Sequence, residues 1–248
     1  MSLKMKRVVI VFLSALILTV VASFAFNKMS KEEKIVSYTV DPKYQHLEMY
    51  WKNDEGEIFR SIQQLKKYLE GKGEQLVFAM NGGIFMENRY PLGLFIQNGM
   101  EKKKLNTSKG QGNFYVMPNG VFYITRNNVP FISTTSNFVS NKNISYATQS
   151  GPMLVIDGKI NTVFSKGSTK VNIRNGVGIL PDNKIIFAIS REEVNMYDFA
   201  DFFLTKGCKN ALYLDGYISK MYLPEKNIFD TGGDFGVMVG ATKKKAKL

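Results

Sequence analysis

The 248-residue chain has one cysteine and one histidine. Cys208, without a second thiol, excludes an intramolecular disulfide framework and any zinc site built on paired thiolates. His46 alone excludes a multi-histidine metal centre. No segment reads GxxxxGK[ST], no GxGxxG opens a helix, and no spaced run of oxygen side chains resembles a calcium loop. No basic face is interleaved with aromatics, so nucleic acid is set aside as a partner. The chemistry must therefore run on carboxylates, hydroxyls, amides, arginine and backbone groups, and the expectation is no cofactor and no metal.

What is present is a chain able to bury a core, 44% hydrophobic and 12% aromatic, of a length that fits one domain plus a leader. Its net charge of +12 is concentrated at the ends, in Lys4, Lys6 and Arg7 and in Lys243, Lys244, Lys245 and Lys247, which leaves the body modestly basic. The cationic start precedes an uncharged apolar run over residues 8–26, with small residues Ser23 and Ala25 before Phe26. Residues 1–26 read as a signal peptide for export. The rival reading is an N-terminal membrane anchor, with membrane association through residues 8–26, because the run approaches the roughly 20 residues that span a bilayer. Either way the protein is expected outside the cytoplasm, periplasmic or secreted. Residues 27–34 read as a linker, 35–241 as the domain and 242–248 as a basic, solvated tail.

Within the domain, IVSYTV (35–40) and HLEMYW (46–51) have strand composition, and Ile62, Leu65 and Leu69 recur at helical spacing before Gly71 and Gly73. QLVFAM, GLFIQ, NFYVM and VFYIT read as strands, with Pro118-Asn119-Gly120 as the hairpin turn between the last two. Two further hairpins are expected across Asp157-Gly158 and across Pro181-Asp182-Asn183. A second helix should run from Met196 to Lys206, capped by Asn195 and ended by Gly207, its buried side carrying Phe199, Phe202 and Phe203. ALYLD, KMYL and FGVMV read as closing strands. The fold class is α+β, a single domain with mixed, mainly antiparallel β-sheets and few helices.

Four glycine-containing knots interrupt these strands: Asn81-Gly82-Gly83, Gln149-Ser150-Gly151, Arg174-Asn175-Gly176 and Asp215-Gly216-Tyr217-Ile218-Ser219. Glycine permits close backbone approach, and polar side chains at strand ends are where a rigid scaffold displays a site, so the knots suggest loops converging on one cleft. His46 reads as an ordinary strand residue and Cys208 as a small buried one.

At these residues the chain resembles the phosphodiester glycosidase family over about residues 36–240. The features are MNGGIF (80–85), Pro91-Leu92-Gly93-Leu94, GNFYVMPNGVF (112–122), QSGPMLV (149–155), IRNGVGI (173–179), Ser190-Arg191 and NALYLDG (210–216), in that order. The resemblance implies hydrolysis of a sugar-1-phosphodiester, with a sugar phosphodiester or glycan as partner. It implies catalytic Asp215, Arg174 and Asn81. Substrate contacts are expected from Gly82, Gly83, Gln149, Ser150, Gly151, Ser190, Arg191, Gly216 and Ser219. A phosphate leaving group needs little protonation, so one carboxylate near the anomeric carbon and one cation on the phosphate suffice, where sugar-to-sugar bonds call for two carboxylates. Where eukaryotic members carry a run of the form DGGGS, this chain reads Asp215-Gly216-Tyr217-Ile218-Ser219, which implies a narrowed pocket and similarity to the bacterial envelope branch. The alternative is a non-catalytic glycan-binding envelope protein on the same fold.

Overall fold

The computed structural model describes residues 34–215 and 218–244. The signal or anchor segment lies outside the described residues, as do Gly216 and Tyr217. Sixteen strands among the described residues form three sheets whose neighbours all pair antiparallel.

The first sheet contains β1 (Ile35–Val40), β9 (Met153–Ile156), β10 (Lys159–Ile160), β11 (Asn175–Ile179), β12 (Ile185–Ser190) and β13 (Ala211–Asp215), ordered β1-β12-β11-β13-β9-β10. The second contains β2 (His46–Tyr50), β3 (Glu74–Gly83), β14 (Met221–Leu223), β15 (Ile228–Phe229) and β16 (Val237–Lys244), ordered β15-β14-β3-β16-β2. The third contains β4 (Phe95–Gln97), β5 (Met100–Lys103), β6 (Gly120–Thr125), β7 (Pro130–Thr134) and β8 (Ile144–Ser150), ordered β5-β4-β8-β6-β7.

Side-chain alternation along each strand sorts the apolar residues into layers. Phe187 and Ile189 of β12, Leu212 and Leu214 of β13, Phe78 and Met80 of β3, and Phe95 and Phe122 of the third sheet share one central core. The intervening residues Ile186, Ala188 and Tyr213 face helix α2 (Met196–Thr205), which lays Phe199, Phe202 and Phe203 on them. Helix α1 (Ile62–Gly71) covers the second sheet with Ile62, Leu65 and Leu69 against Leu76 and Met238. Each such side chain contributes about 1.5–3 kcal/mol on burial.

The helix ends follow their chemistry. Ser61 accepts from the Gln64 amide at the start of α1, and Asn195 from the Asp198 amide at the start of α2. Gly73 and Gly207, just past the two helices, sit at φ 75° and 87°. The hairpins across Asp157-Gly158 and Asn183 form, with those residues at φ 48°, 75° and 61°.

The hairpin across Pro118-Asn119-Gly120 does not form. Residues Asn113–Tyr115 make a 3-10 turn that buries Phe114, and the Asn119 amide donates to the Phe114 carbonyl at 2.9 Å. Gly120 is already part of β6, which pairs with β7 and β8. At the C-terminus, β16 continues through Lys244, so the sheet takes in the first residues of the basic tail.

Candidate functional site

Asp215 ends β13, whose Leu212, Tyr213 and Leu214 are fully packed. The ladder with β11 is irregular there: Asn175 faces Asp215 and Gly176 faces Tyr213, leaving Leu214 as an extra residue that re-aims the strand end. A side chain at Gly176 would put its Cβ 2.9 Å from the Leu212 carbonyl oxygen, so only glycine fits. A matching irregularity lies in β3, where Gly83 faces Val237 and Asn81 faces Met238. The two bulges bring Asn81 of the second sheet against Asp215 and Asn175 of the first.

The result is a closed, buried network. The Asn81 amide nitrogen donates to Asp215 Oδ2 at 3.1 Å. The Asn175 amide nitrogen donates to the carbonyl and Oδ1 of Asn81, both at 2.9 Å. Asn175 Oδ1 in turn accepts from the Asp215 backbone amide at 2.8 Å, and Asn81 Oδ1 from the Lys220 amide at 3.0 Å. Ser219 Oγ donates to the Asp215 carbonyl at 2.7 Å, and Ser150 Oγ, from the third sheet, to the Leu214 carbonyl at 2.7 Å. Asn81, Ser150 and Asn175 are wholly buried, and Asp215 is 7% exposed. Buried polar groups persist only when so satisfied. Asn175 is the member that sequence reasoning missed. The signal was there, since strand alternation sends Asn175 and Arg174 to opposite faces.

Arg174 lies beside this network without touching its carboxylate. Its Nε donates to the Val194 carbonyl at 2.6 Å, Nη2 to the Lys170 carbonyl at 3.0 Å and Nη1 to the Tyr213 hydroxyl at 3.2 Å. Tyr213 stands between the two charges: burial pushes its phenol up to about 12, with Arg174 lowering it and Asp215 raising it. Arg174 also lines a cavity of about 450 Å³ together with Asn113, Ser165, Lys170 and Tyr197.

The other expected contacts separate. Gln149 is saturated by protein, Oε1 accepting from the Leu94 and Asn106 amides and Nε2 donating to the Asn106 carbonyl and the Thr135 hydroxyl. A Cβ on Gly83 would lie 2.6 Å from Thr148 Oγ1 and one on Gly151 2.5 Å from Asn119 Cβ. Gly82 faces the backbone of Met238 and Val239 at 3.2 Å. Gly83 thus lets the second sheet approach the third, while Gly82 and Gly151 admit close neighbours within their own sheets. Ser190 Oγ accepts from the Arg174 amide at 2.9 Å, whereas Arg191 is exposed and lines a different cavity. Ile218 packs against the core under α1. Gly216 lies outside the described residues.

The remaining single-copy residues take ordinary places. His46 is exposed and pairs with Glu48 at 2.7 Å, and burial pushes the Cys208 thiol up to about 12. No group of three or more metal-ligating side chains occurs among the described residues.

The fold is shared with known proteins. An Escherichia coli (strain K12) protein, the uncharacterized YigE, is 40% identical over 190 residues, 76% of this chain and 74% of that protein. Two solved structures share the fold over 84% of this chain. The catalytic domain of zebrafish N-acetylglucosamine-1-phosphodiester alpha-N-acetylglucosaminidase, auto-inhibited by its pro-peptide, has a TM-score of 0.51 at 14% identity and is covered over 87% of its length. A hypothetical protein from Synechocystis has a TM-score of 0.53 at 13% identity, and this chain spans 59% of its length. The family model for phosphodiester glycosidase matches residues 74–237, a span that contains Asn81, Arg174, Asn175 and Asp215. The chain therefore belongs to the phosphodiester glycosidase family.

Proposed function

We propose that this protein is an exported hydrolase that cleaves a sugar-1-phosphodiester. The observation that carries the reading is the Asp215 carboxylate, held at a strand end by Asn81 and, through its backbone, by Asn175. In the reaction the bond between the anomeric carbon and the bridging oxygen breaks, and that oxygen leaves with its electron pair on phosphate. The oxygen of water bonds to the anomeric carbon. Asp215 either attacks that carbon first or takes the proton from water, and the anomeric configuration of the released sugar separates the two. A guanidinium carries five N–H donors; the contacts of Arg174 with Val194, Tyr213 and Lys170 use three, so two remain for a phosphate in the adjoining cavity.

The test is a panel of sugar-1-phosphodiesters assayed for free sugar. Asp215→Asn keeps shape and removes charge, so the melting temperature should hold while release falls by at least about 100-fold. A stable, fully active variant would remove Asp215 from the chemistry. Binding of the panel without turnover by the unaltered protein would instead make it a glycan-binding protein. Export rests on the apolar run over residues 8–26 and is checked by sequencing the N-terminus of exported protein, expected near Phe26.

A further inference from the structure

The cavity beside Arg174 is larger than one phosphate requires. It measures about 450 Å³, within the roughly 300–1,000 Å³ of pockets that take whole organic ligands. Arg174 is only 3% exposed, and its contacts with Val194, Tyr213 and Lys170 fix the guanidinium at the cavity wall with two N–H donors to spare.

The same guanidinium brings in a second cation. Arg174 Nη2 donates to the Lys170 carbonyl at 3.0 Å, and the Lys170 amide donates to Ser168 Oγ at 3.3 Å. The backbone that carries Lys170 is therefore tethered at two points beside Arg174. Lys170 lines the cavity, and its ammonium has no partner among the described residues. Phe164 and Tyr197 add apolar surface between polar groups.

No carboxylate of a described residue lines this cavity. From Gly158 through Pro181 the chain has no aspartate or glutamate, whereas Lys159, Lys166, Lys170 and Arg174 all fall there. The opposite wall is formed by Met196 and Tyr197 at the start of α2. Of the acids flanking it in sequence, Asp198 accepts from the Asn195 amide nitrogen at 2.9 Å, and Glu193 lies outside the lining.

We infer that this cavity takes two phosphate groups, so that the group released from the sugar carries a second phosphate. Arg174 holds the phosphate next to the anomeric carbon in a two-pronged contact, and Lys170 meets the second as a point charge. The order of these parts, with the sugar at Asp215, rests on the hydrolase reading. The leaving group is then either a diphosphate or a phosphate ester of an alcohol that is itself phosphorylated.

The experiment titrates the full chain at low salt, by calorimetry, with methyl phosphate, methyl diphosphate and propane-1,3-diol bisphosphate. At least one of the two-phosphate ligands should bind about fivefold more tightly than methyl phosphate, the scale of one exposed charge pair. Which of them does so separates a diphosphate from two phosphates joined through carbon. Lys170→Gln should remove the advantage and leave methyl phosphate binding unchanged. Lys166→Gln, the same charge loss in the same acid-free stretch but outside the lining, should change neither. Equal affinity for the three ligands, or equal effects of the two substitutions, would overturn the inference. Sugar release is scored separately on sugar-1-phosphodiesters that end in the same groups. Release without the two-phosphate preference would sink this inference and keep the hydrolase reading. The preference without release from any of them would leave a two-phosphate site and sink the hydrolase reading.

Discussion

Asn175 serves two partners at once, donating to Asn81 and accepting from the Asp215 amide, and so ties the second sheet to the backbone that carries the carboxylate. Asn175→Ala leaves the Asp215 N–H and the Asn81 carbonyl buried without that partner. The expected cost is about 1–3 kcal/mol in guanidinium unfolding, with slower sugar release because the backbone that carries the carboxylate loses an anchor. Stability and rate both equal to the unaltered protein would show the network to be dispensable. Arg174→Lys keeps the charge but cannot reach Val194, Lys170 and Tyr213 together from one ammonium group. It should raise KM for a phosphodiester and lower the melting temperature, and unchanged kinetics would take Arg174 out of the site.

Among the elements, those whose ends carry special backbone chemistry were legible in the sequence. Asp157-Gly158 and Asn183 announce hairpins because they tolerate the left-handed backbone, and Asn195 and Gly207 bracket α2. NFYVM misled because aromatic, β-favouring composition is satisfied equally by a 3-10 turn that buries Phe114. The short charged strand β5 carries too little alternation to be seen, and β7 opens on Pro130, which reads against a strand. In the site, Asp215, Asn81 and Ser150 were found by position at strand ends. The saturation of Gln149 and the outward turn of Arg191 depend on partners distant in sequence, which composition does not encode.

A loop-level contact also escaped sequence reading. Asp234 is bound by Arg89 from the segment after β3 and by Arg60 from the segment before α1. Hydrogen bonding from Arg89, supported by Arg60, holds its carboxyl below the usual range. A depressed folded value means stability that is present above the unfolded pKa near 3.9 and lost as pH falls through the lower folded value. Asp234→Asn should therefore cost stability at neutral pH, by less than about 1 kcal/mol because the Asp234 side chain is over a third exposed. The gap to the unaltered protein should close in urea titrations below about pH 4. A gap independent of pH would assign the effect to packing.

At the scale of the whole molecule, the site belongs to no one part of the chain. Asn81 comes from the second sheet, Asn175 and Asp215 from the first, and the Ser150 contact from the third. Asn81 and Asp215 are 134 residues apart in sequence. Pairings of such separation form late, because loop closure must be met before they contribute. No excised fragment, hairpin or half-made chain emerging from a ribosome can hold the carboxylate in place. Whatever chemistry that carboxylate performs thus arrives in a single step with completion of the fold, so an incomplete chain carries none of it.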